Sequence, residues 1–299
     1  RKEGPRTGRP RYSYPIGTEV TNWSMRNPVT TVEKNSVVDV VIVNWNTSEK
    51  AIKAAEHFAA SRDVDPRVVI VDNDSVEEQK ALLRETRNEA FDLIETGSNL
   101  GFGGAANLGL SKSSGDFVVV SNADIIPPPD TLAALVAAAE KTPSAGMVGP
   151  VFRDDGNHYH DHLPSSATLL LRIGFGRFGR KSISPPLPGE IARVEQPAGA
   201  CFLMRRDVWN SVGGFDDSFF LWYEDVDLAR RLIDSGHTNL IVGSAEAAHI
   251  GGDSFRKLSD RRKQDLRLSS LRRYISLHHR GISAIAEPLI RLSKRLRGV

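Results

Sequence analysis

In the first half of the chain, apolar residues fall in short runs separated by polar turns. Val40-Val41-Ile42-Val43, Arg67-Val68-Val69-Ile70-Val71 and Phe117-Val118-Val119-Val120 are β-branched runs of the kind buried on both faces of a sheet. From about Thr47, the spacing of Ile52, Ala55, Phe58 and Ala59 predicts a helix with one inner stripe. Ser75-Val76-Glu77-Glu78 reads as a capping box, with Ser75 and Glu78 satisfying the orphan amides of a helix start. Asp130 is expected to cap an Ala/Leu-rich helix running to about Lys141. Strand and helix alternating at this spacing predict βαβ units, an α/β fold with a mostly parallel sheet flanked by helices.

The second half is less regular. Residues 152–196 predict loops plus a short helical insert around Ala167 to Ile173. Ala200-Cys201-Phe202-Leu203-Met204 reads as another strand, and 224–235 as a helix stopped by Gly236. Beyond Arg256 the pattern is basic and amphipathic, with Leu266, Leu268, Leu271, Tyr274, Ile275 and Leu277 set among arginines. Two readings of these positions stay open: a face for an anionic membrane, or a solvated helix packing back on the domain. The expected organisation is a basic N-terminal arm (1–36), a main domain (37–255, with halves 37–150 and 151–255) and a basic helical C-terminal tail (256–299).

With 40% hydrophobic and 25% charged residues in 299, wholesale disorder and collagen-like repeats are excluded. Cys201 is the only cysteine, which rules out an intramolecular disulfide and leads us to expect a reducing, cytoplasmic compartment. The longest apolar stretch, Leu132 to Ala139, is far short of the roughly 20 residues that span a bilayer. The first residues show no leader-like apolar core, so the expectation is a soluble or membrane-surface protein. The net charge of +2 hides two basic ends, +4 over residues 1–34 and +10 over 256–299, around a body of −12. Charge of this kind suits nucleic acid, anionic lipid or a phosphorylated ligand without choosing among them.

Ligands of open parallel sheets bind at the carboxyl ends of strands, near a change in strand order. Polar residues cluster at those ends: Asn44-Trp45-Asn46, Asp72-Asn73-Asp74-Ser75 and Ser121-Asn122-Ala123-Asp124. Asn and Asp also start turns and cap helices, but three such ends converging on one crevice point to a site. Between the second and third strands, Gly97 to Asn107 forms a glycine-rich turn entering a helix, whose amides are expected to approach an anionic ligand. It follows the wrong strand for a dinucleotide fingerprint. His158-Tyr159-His160-Asp161-His162 has the composition of a metal cluster or an acceptor loop.

Taken in order, Asn44-Trp45-Asn46, Asp72-Asn73-Asp74-Ser75, Asn99-Leu100-Gly101-Phe102-Gly103, Asn122-Ala123-Asp124, Gly213-Gly214-Phe215-Asp216 and Glu224-Asp225-Val226-Asp227 resemble family 2 glycosyltransferases of the GT-A fold, in particular their bacterial rhamnosyltransferase-like branch. The resemblance covers roughly residues 38–252. It implies an inverting transfer of a sugar from a dTDP- or UDP-linked donor, dTDP-rhamnose first among them, to a polyprenyl-diphosphate-linked or polysaccharide acceptor. The basic tail, outside the resemblance, fits such an acceptor and on the membrane reading would hold the enzyme peripherally on the inner face of the cell membrane; no nucleic-acid partner is expected, and oligomerisation stays open.

By the same resemblance, donor-binding residues are Asn44, Asn46, Asp72, Asn73, Asn99, Gly101, Gly103, Asn107, Asn122 and Asp124, with Asp72 reading the pyrimidine base. The family's Asp-x-Asp metal motif is Asn122-Ala123-Asp124 here, leaving one carboxylate. Asp124 and His249 would hold Mg²⁺ or Mn²⁺, which shares carboxylates with phosphate oxygens and water. Asp225 is the implied general base, Glu224 the reserve, and a helix N-terminus is expected to keep both ionised. Trp222 and Tyr223 are expected to stack on the acceptor sugar, and Asp227 is a possible first-turn charge. Arg256 or Lys257 would assist the leaving diphosphate. The alternatives are a UDP-sugar-dependent transferase of the same fold, a nucleotidyltransferase, which would want a basic glycine-rich loop after strand one, and a catalytically weak glycan- or lipid-binding relative.

Overall fold

A computed structural model describes residues 36–152, 162–175, 184–250 and 258–296. The first half alternates as its sequence predicts: β1 (Val37–Asn44), α1 (Ser48–Ala59), β2 (Asp65–Asp72), α2 (Glu77–Glu85), β3 (Asp92–Glu95), α3 (Gly101–Leu110), β4 (Phe117–Asn122), β5 (Ile125–Ile126) and α4 (Thr131–Lys141). It continues through β6 (Ala145–Phe152), α5 (Ser166–Phe175), β7 (Ile191–Val194), β8 (Cys201–Arg205), α6 (Arg206–Val212), α7 (Glu224–Asp234) and β9 (Thr238–His249). Helices α8 (Asp260–His278) and α9 (Ser283–Leu296) follow.

The strands form one sheet in the order β3-β2-β1-β4-β8-β6-β9-β5, with β7 beside β9. Strands β3, β2, β1 and β4 are all parallel. The strand read at Cys201 is confirmed, but β8 runs antiparallel to both β4 and β6. Chain order reverses across β1, since β2 and β3 lie on one side of it and β4 on the other. That is a topological switch point, where a crevice opens between the loops leaving the two neighbouring strands.

Each face of the sheet carries its own core. Val40 and Ile42 of β1 pack with α1 and α4, while Val41 and Val43 pack with α3, α6 and α7. This is the period-two alternation of a strand buried on both sides. Near the amino end of β1, Asp39, 2% exposed, pairs with Arg206 at the start of α6.

Two helix starts differ from their sequence reading. Helix α2 begins after Val76 without a side-chain cap; Ser75 Oγ instead accepts the Asn46 N–H at 2.7 Å and tethers the loop after β1. Asp130 stands at the cap position of α4, but its side chain makes no capping bond. Gly236, at φ +85°, ends α7 as expected. The N–H of His237 donates to Leu232 O and that of Gly236 to Ile233 O, the double bond of a Schellman ending.

The apolar positions of the tail's first helix pack inward. Leu266, Leu268, Leu271, Tyr274 and Ile275 of α8 are buried, most of them in a third cluster with Tyr223 and Val226 of the α7 region and Leu169 and Ile173 of α5. The packing reading is therefore the one the structure adopts for α8.

Candidate active site

The carboxyl ends of β1 and β4 open into a cavity of about 290 Å³ at the switch point. Its walls come from Val43 and Trp45 at the end of β1, Asn73 after β2, Asn99, Gly101 and Phe102 at the start of α3, and Asn122 to Asp124 at the end of β4. Phe220 and Leu221 close it from the loop before α7, and Leu258, Arg262 and Leu266 from the start of α8. Most of these walls are apolar; the polar groups come from the β2 and β4 ends, the turn before α3 and Arg262 of α8.

Five of the residues read from sequence line this cavity: Asn73, Asn99, Gly101, Asn122 and Asp124. Asn122 fixes its backbone by donating N–H to Ala200 O at 2.8 Å. Its side-chain amide hydrogen-bonds to no described residue and borders the cavity. Asp124 and His249 meet because β5 pairs antiparallel with β9, Ile125 opposite His249. The Ile250 N–H closes that ladder on Asp124 O, and Lys50 Nζ donates to Ile250 O.

Asp124 Oδ1 and His249 Nε2 lie 3.2 Å apart, the separation expected of neighbouring donors on one ion at ligand distances of about 2.1 Å. One carboxylate in the cavity lining with one imidazole beside it suits a divalent cation whose other ligands are phosphate oxygens and water. Among the described residues no third His, Cys, Asp or Glu joins them.

The other donor residues read from sequence serve the scaffold. Asn44 is fully buried: its Nδ2 donates to Asp72 Oδ2 at 3.0 Å, and its Oδ1 accepts from the N–H and Oγ1 of Thr47. Asp72 is equally buried, with Oδ1 taking the Ser75 N–H. The carboxylate expected to read a base therefore sits behind the cavity wall, and the neighbouring Asn73 lines it. Asn46, at φ +58°, accepts the Val76 N–H and locks two loops together. Asn107 binds Phe215 O, the Phe215 N–H and Asp217, and Gly103 gives the Phe215 ring room.

The glycine-rich turn also departs from expectation. The N–H groups of Leu100, Gly101 and Phe102 donate to Asn73 Oδ1, Asn99 Oδ1 and Phe220 O. With these amides bonded internally, the turn works through close packing. Gly101 stands at φ +76°, and a Cβ there would collide with the Phe220 carbonyl. Only glycine meets both demands, and the close approach brings the loop before α7 to the cavity.

That loop ends in two consecutive left-handed residues, Trp222 (φ +65°) and Tyr223 (φ +68°). Non-glycine residues in this region cost energy and cluster at functional sites. Tyr223 is buried against Tyr274, ring centroids 5.4 Å apart, so it supports the loop from within and does not offer a sugar-stacking face. Trp222 remains half-buried beside it.

The strained pair launches Glu224 and Asp225 into the first turn of α7. Asp225 is half-buried; its Oδ2 accepts Gln196 Nε2 at 3.3 Å, and its Cβ lies directly over Gly199. One loop, 196–200, thus touches both Asp225 and, through Ala200 O, the Asn122 rim of the cavity. Glu224 is 7% exposed and its Oε2 has no hydrogen-bond partner among the described residues. Desolvation, aided by the neighbouring charge of Asp225, pushes the Glu224 carboxyl up to about 8. This overturns the expectation that the helix N-terminus keeps both carboxylates ionised: for Glu224, burial outweighs the helix dipole. Asp227 is no mere surface charge either: 1% exposed, it accepts from Arg231 Nε and contacts His278 Nε2, each at 2.7 Å, joining α7 to α8.

Burial pushes the Cys201 thiol up to about 12, far from a reactive thiolate. Residues 158–161 and 253–257 lie outside the described residues; His162 is exposed and 3.3 Å from Glu195. Sequence reasoning missed Arg262 and the apolar wall of Trp45, Phe102, Phe220 and Leu266. The placement of α8 at the cavity mouth left no local signal to find Arg262 by.

Residues 39–212 match the family described as Glycosyl transferase family 2. An N-acetylglucosaminyl-diphospho-decaprenol L-rhamnosyltransferase of Mycobacterium tuberculosis is 30% identical over 234 residues, 71% of this chain and 76% of its own length. The rhamnosyltransferase WbbL of Escherichia coli is 24% identical over 71% of this chain and 83% of its own. Among solved structures, GalNAc-T7 with UDP, GalNAc and Mn²⁺ aligns with a TM-score of 0.55 at 17% identity. That alignment covers 73% of this chain but only 44% of the longer one, and at this identity it speaks for the fold alone.

Proposed function

The chain belongs to glycosyl transferase family 2 and has the GT-A fold, and from that premise we propose an inverting transfer of L-rhamnose from dTDP-rhamnose to a polyprenyl-diphosphate-linked sugar. In this reading the enzyme works at the cytoplasmic face of the membrane, in cell-envelope polysaccharide synthesis. The observation that carries the reading is the cavity at the β1/β4 switch point, with Asp124 in its lining and His249 paired to Asp124. The 30% identical relative, named for decaprenol-linked rhamnosyl transfer, supports the choice of donor and acceptor. So does the apolar wall of Trp45, Phe102, Phe220 and Leu266. It suits the methyl groups of thymine and of a 6-deoxy sugar better than an added hydroxyl, which would lie unpaired against it.

The nucleotide and sugar occupy the cavity, with Asn73, Asn99 and Asn122 as the polar contacts. Asp225 takes the proton from the acceptor hydroxyl as its oxygen attacks the anomeric carbon from the face opposite the diphosphate. The single displacement inverts that carbon. Glu224, protonated below about pH 8, adds no second negative charge beside the base. Arg262 at the cavity mouth offsets charge on the departing diphosphate. A divalent cation held by Asp124 and His249 would supply Lewis-acid neutralisation of that diphosphate.

Calorimetric titration with dTDP, UDP and GDP, each with Mg²⁺, Mn²⁺ or EDTA, tests the donor assignment. The reading predicts tightest binding of dTDP, weakened by Asp124→Ala. Equal binding of UDP and dTDP would move the assignment to a UDP-sugar transferase, and no nucleotide binding at all would refute the donor site.

A further inference from the structure

With the leucines of α8 buried, a different apolar surface is left open. Ile285, Leu289, Leu292 and Leu296 of α9 are 56%, 40%, 52% and 78% exposed. Their spacing of four, three and four residues sets them on one helix face. The adjoining face, Ala286, Ile290 and Ser293, is buried beside Leu169 and Ile173 of α5, and Ser293 Oγ donates to Ile173 O at 3.1 Å. Helix α5, packed against α9, adds Leu171 and Phe175, 41% and 73% exposed.

The surrounding charge identifies the occupant. Residues 258–296 carry ten Lys/Arg against three Asp/Glu. Of these, Arg280 and Arg295 are exposed, with no ion pair to a described residue. A second copy docking through the same face would bring two surfaces of this sign together, which is repulsive. Anionic lipid headgroups complement it, each nearby Lys or Arg contributing about 1 kcal/mol. The 14 residues of α9 are too few to cross a bilayer, which takes about 20. No helix among the described residues is long and apolar enough to do so. A helix with leucines on one face and arginines beside them lies in the interface plane.

We propose that the exposed face of α9, with Leu171 and Phe175 of α5, seats the protein on an anionic bilayer surface. This deepens the reading of a lipid-linked acceptor and rests on it for the presence of a membrane.

The test is co-sedimentation of the full chain with phosphatidylglycerol-containing vesicles, against vesicles of phosphatidylcholine alone. The wild type should bind the anionic vesicles and release from them at high salt. Leu289→Glu with Leu292→Glu, and separately Phe175→Glu, should weaken binding by about tenfold or more. Arg280→Gln with Arg295→Gln should flatten the salt dependence. Nucleotide-diphosphate release from the donor in solution should be unchanged in every variant, which separates this proposal from the reaction itself. Binding by the wild type that the glutamates leave intact, no binding to anionic vesicles, or a glutamate-sensitive dimer in light scattering would overturn it.

Discussion

Adjacent carboxylates at the head of α7 live in opposite surroundings, and pH should separate them. Glu224 is buried, without a partner on Oε2 among the described residues, and pushed up to about 8, while Asp225 is half-buried and held by Gln196. A carboxyl raised in the folded state binds its proton more tightly there than in the unfolded chain. Its stabilising contribution is complete below the unfolded value and is lost as pH rises through about 8. Glu224→Gln, a neutral isostere, should therefore remove that loss, with a smaller fall in Tm between pH 6 and pH 8.5 than in wild type. At pH 7 it should lower turnover by less than about tenfold, whereas Asp225→Asn should cost about 10² to 10⁴. Equal losses would show that Glu224 works as an ionised group. Arg262→Ala should raise the KM for donor or lower kcat without moving Tm, since its side chain is about half exposed. Residues directly at strand ends, such as Asn122 and Asp124, were legible in sequence. Whether a polar residue faces the ligand or the scaffold was not. Asn44 and Asp72 look equally eligible in the chain, and only the Asn44–Asp72 hydrogen bond reveals that they satisfy each other.

Among elements, α3 and α7 are joined by contacts that local sequence does not announce. Gly101 stands out as a motif glycine, yet its reason lies more than a hundred residues away, in the Phe220 carbonyl. Gly97 offers a matched control, with φ +71° and nothing within 4 Å of the point a Cβ would occupy. Gly97→Ala should cost about 1 kcal/mol for its backbone angle alone, and Gly101→Ala clearly more, read as urea midpoints. Comparable midpoints would remove the packing argument. Asp227 makes a similar bridge from α7 to α8. Replacing it by Ala leaves Arg231 on the Val212 and Gly214 carbonyls but removes its ion pair and the contact to His278, an expected loss of about 1 to 3 kcal/mol. A loss below about 1 kcal/mol would return Asp227 to the role of surface charge. The buried strands of the first half were legible because their β-branched runs are unambiguous. Helix α8 was not, because a basic amphipathic helix has the same pattern whether its leucines meet a bilayer or Tyr223 and Val226.

Across the whole molecule, strand order does what no single motif does. Reversal of chain order at β1 sets the loops after β1 and β4 around one cavity, and the β5–β9 ladder carries His249 across more than a hundred residues to Asp124. If these two side chains hold one cation, Asp124→Ala and His249→Ala should each abolish the same metal stimulation, and the double variant should lose no more than either alone. Additive losses would mean separate roles. All of these roles serve sugar transfer from a nucleotide-diphosphate donor with Asp225 as base. The decisive experiment is nucleotide-diphosphate release from a panel of dTDP-, UDP- and GDP-sugars, wild type against Asp225→Asn, with and without a polyprenyl-diphosphate-sugar acceptor. The predicted result is acceptor-stimulated release of dTDP from dTDP-rhamnose that falls by about 10² or more in the variant; undiminished release by Asp225→Asn, or none from any donor with acceptor present, would contradict it.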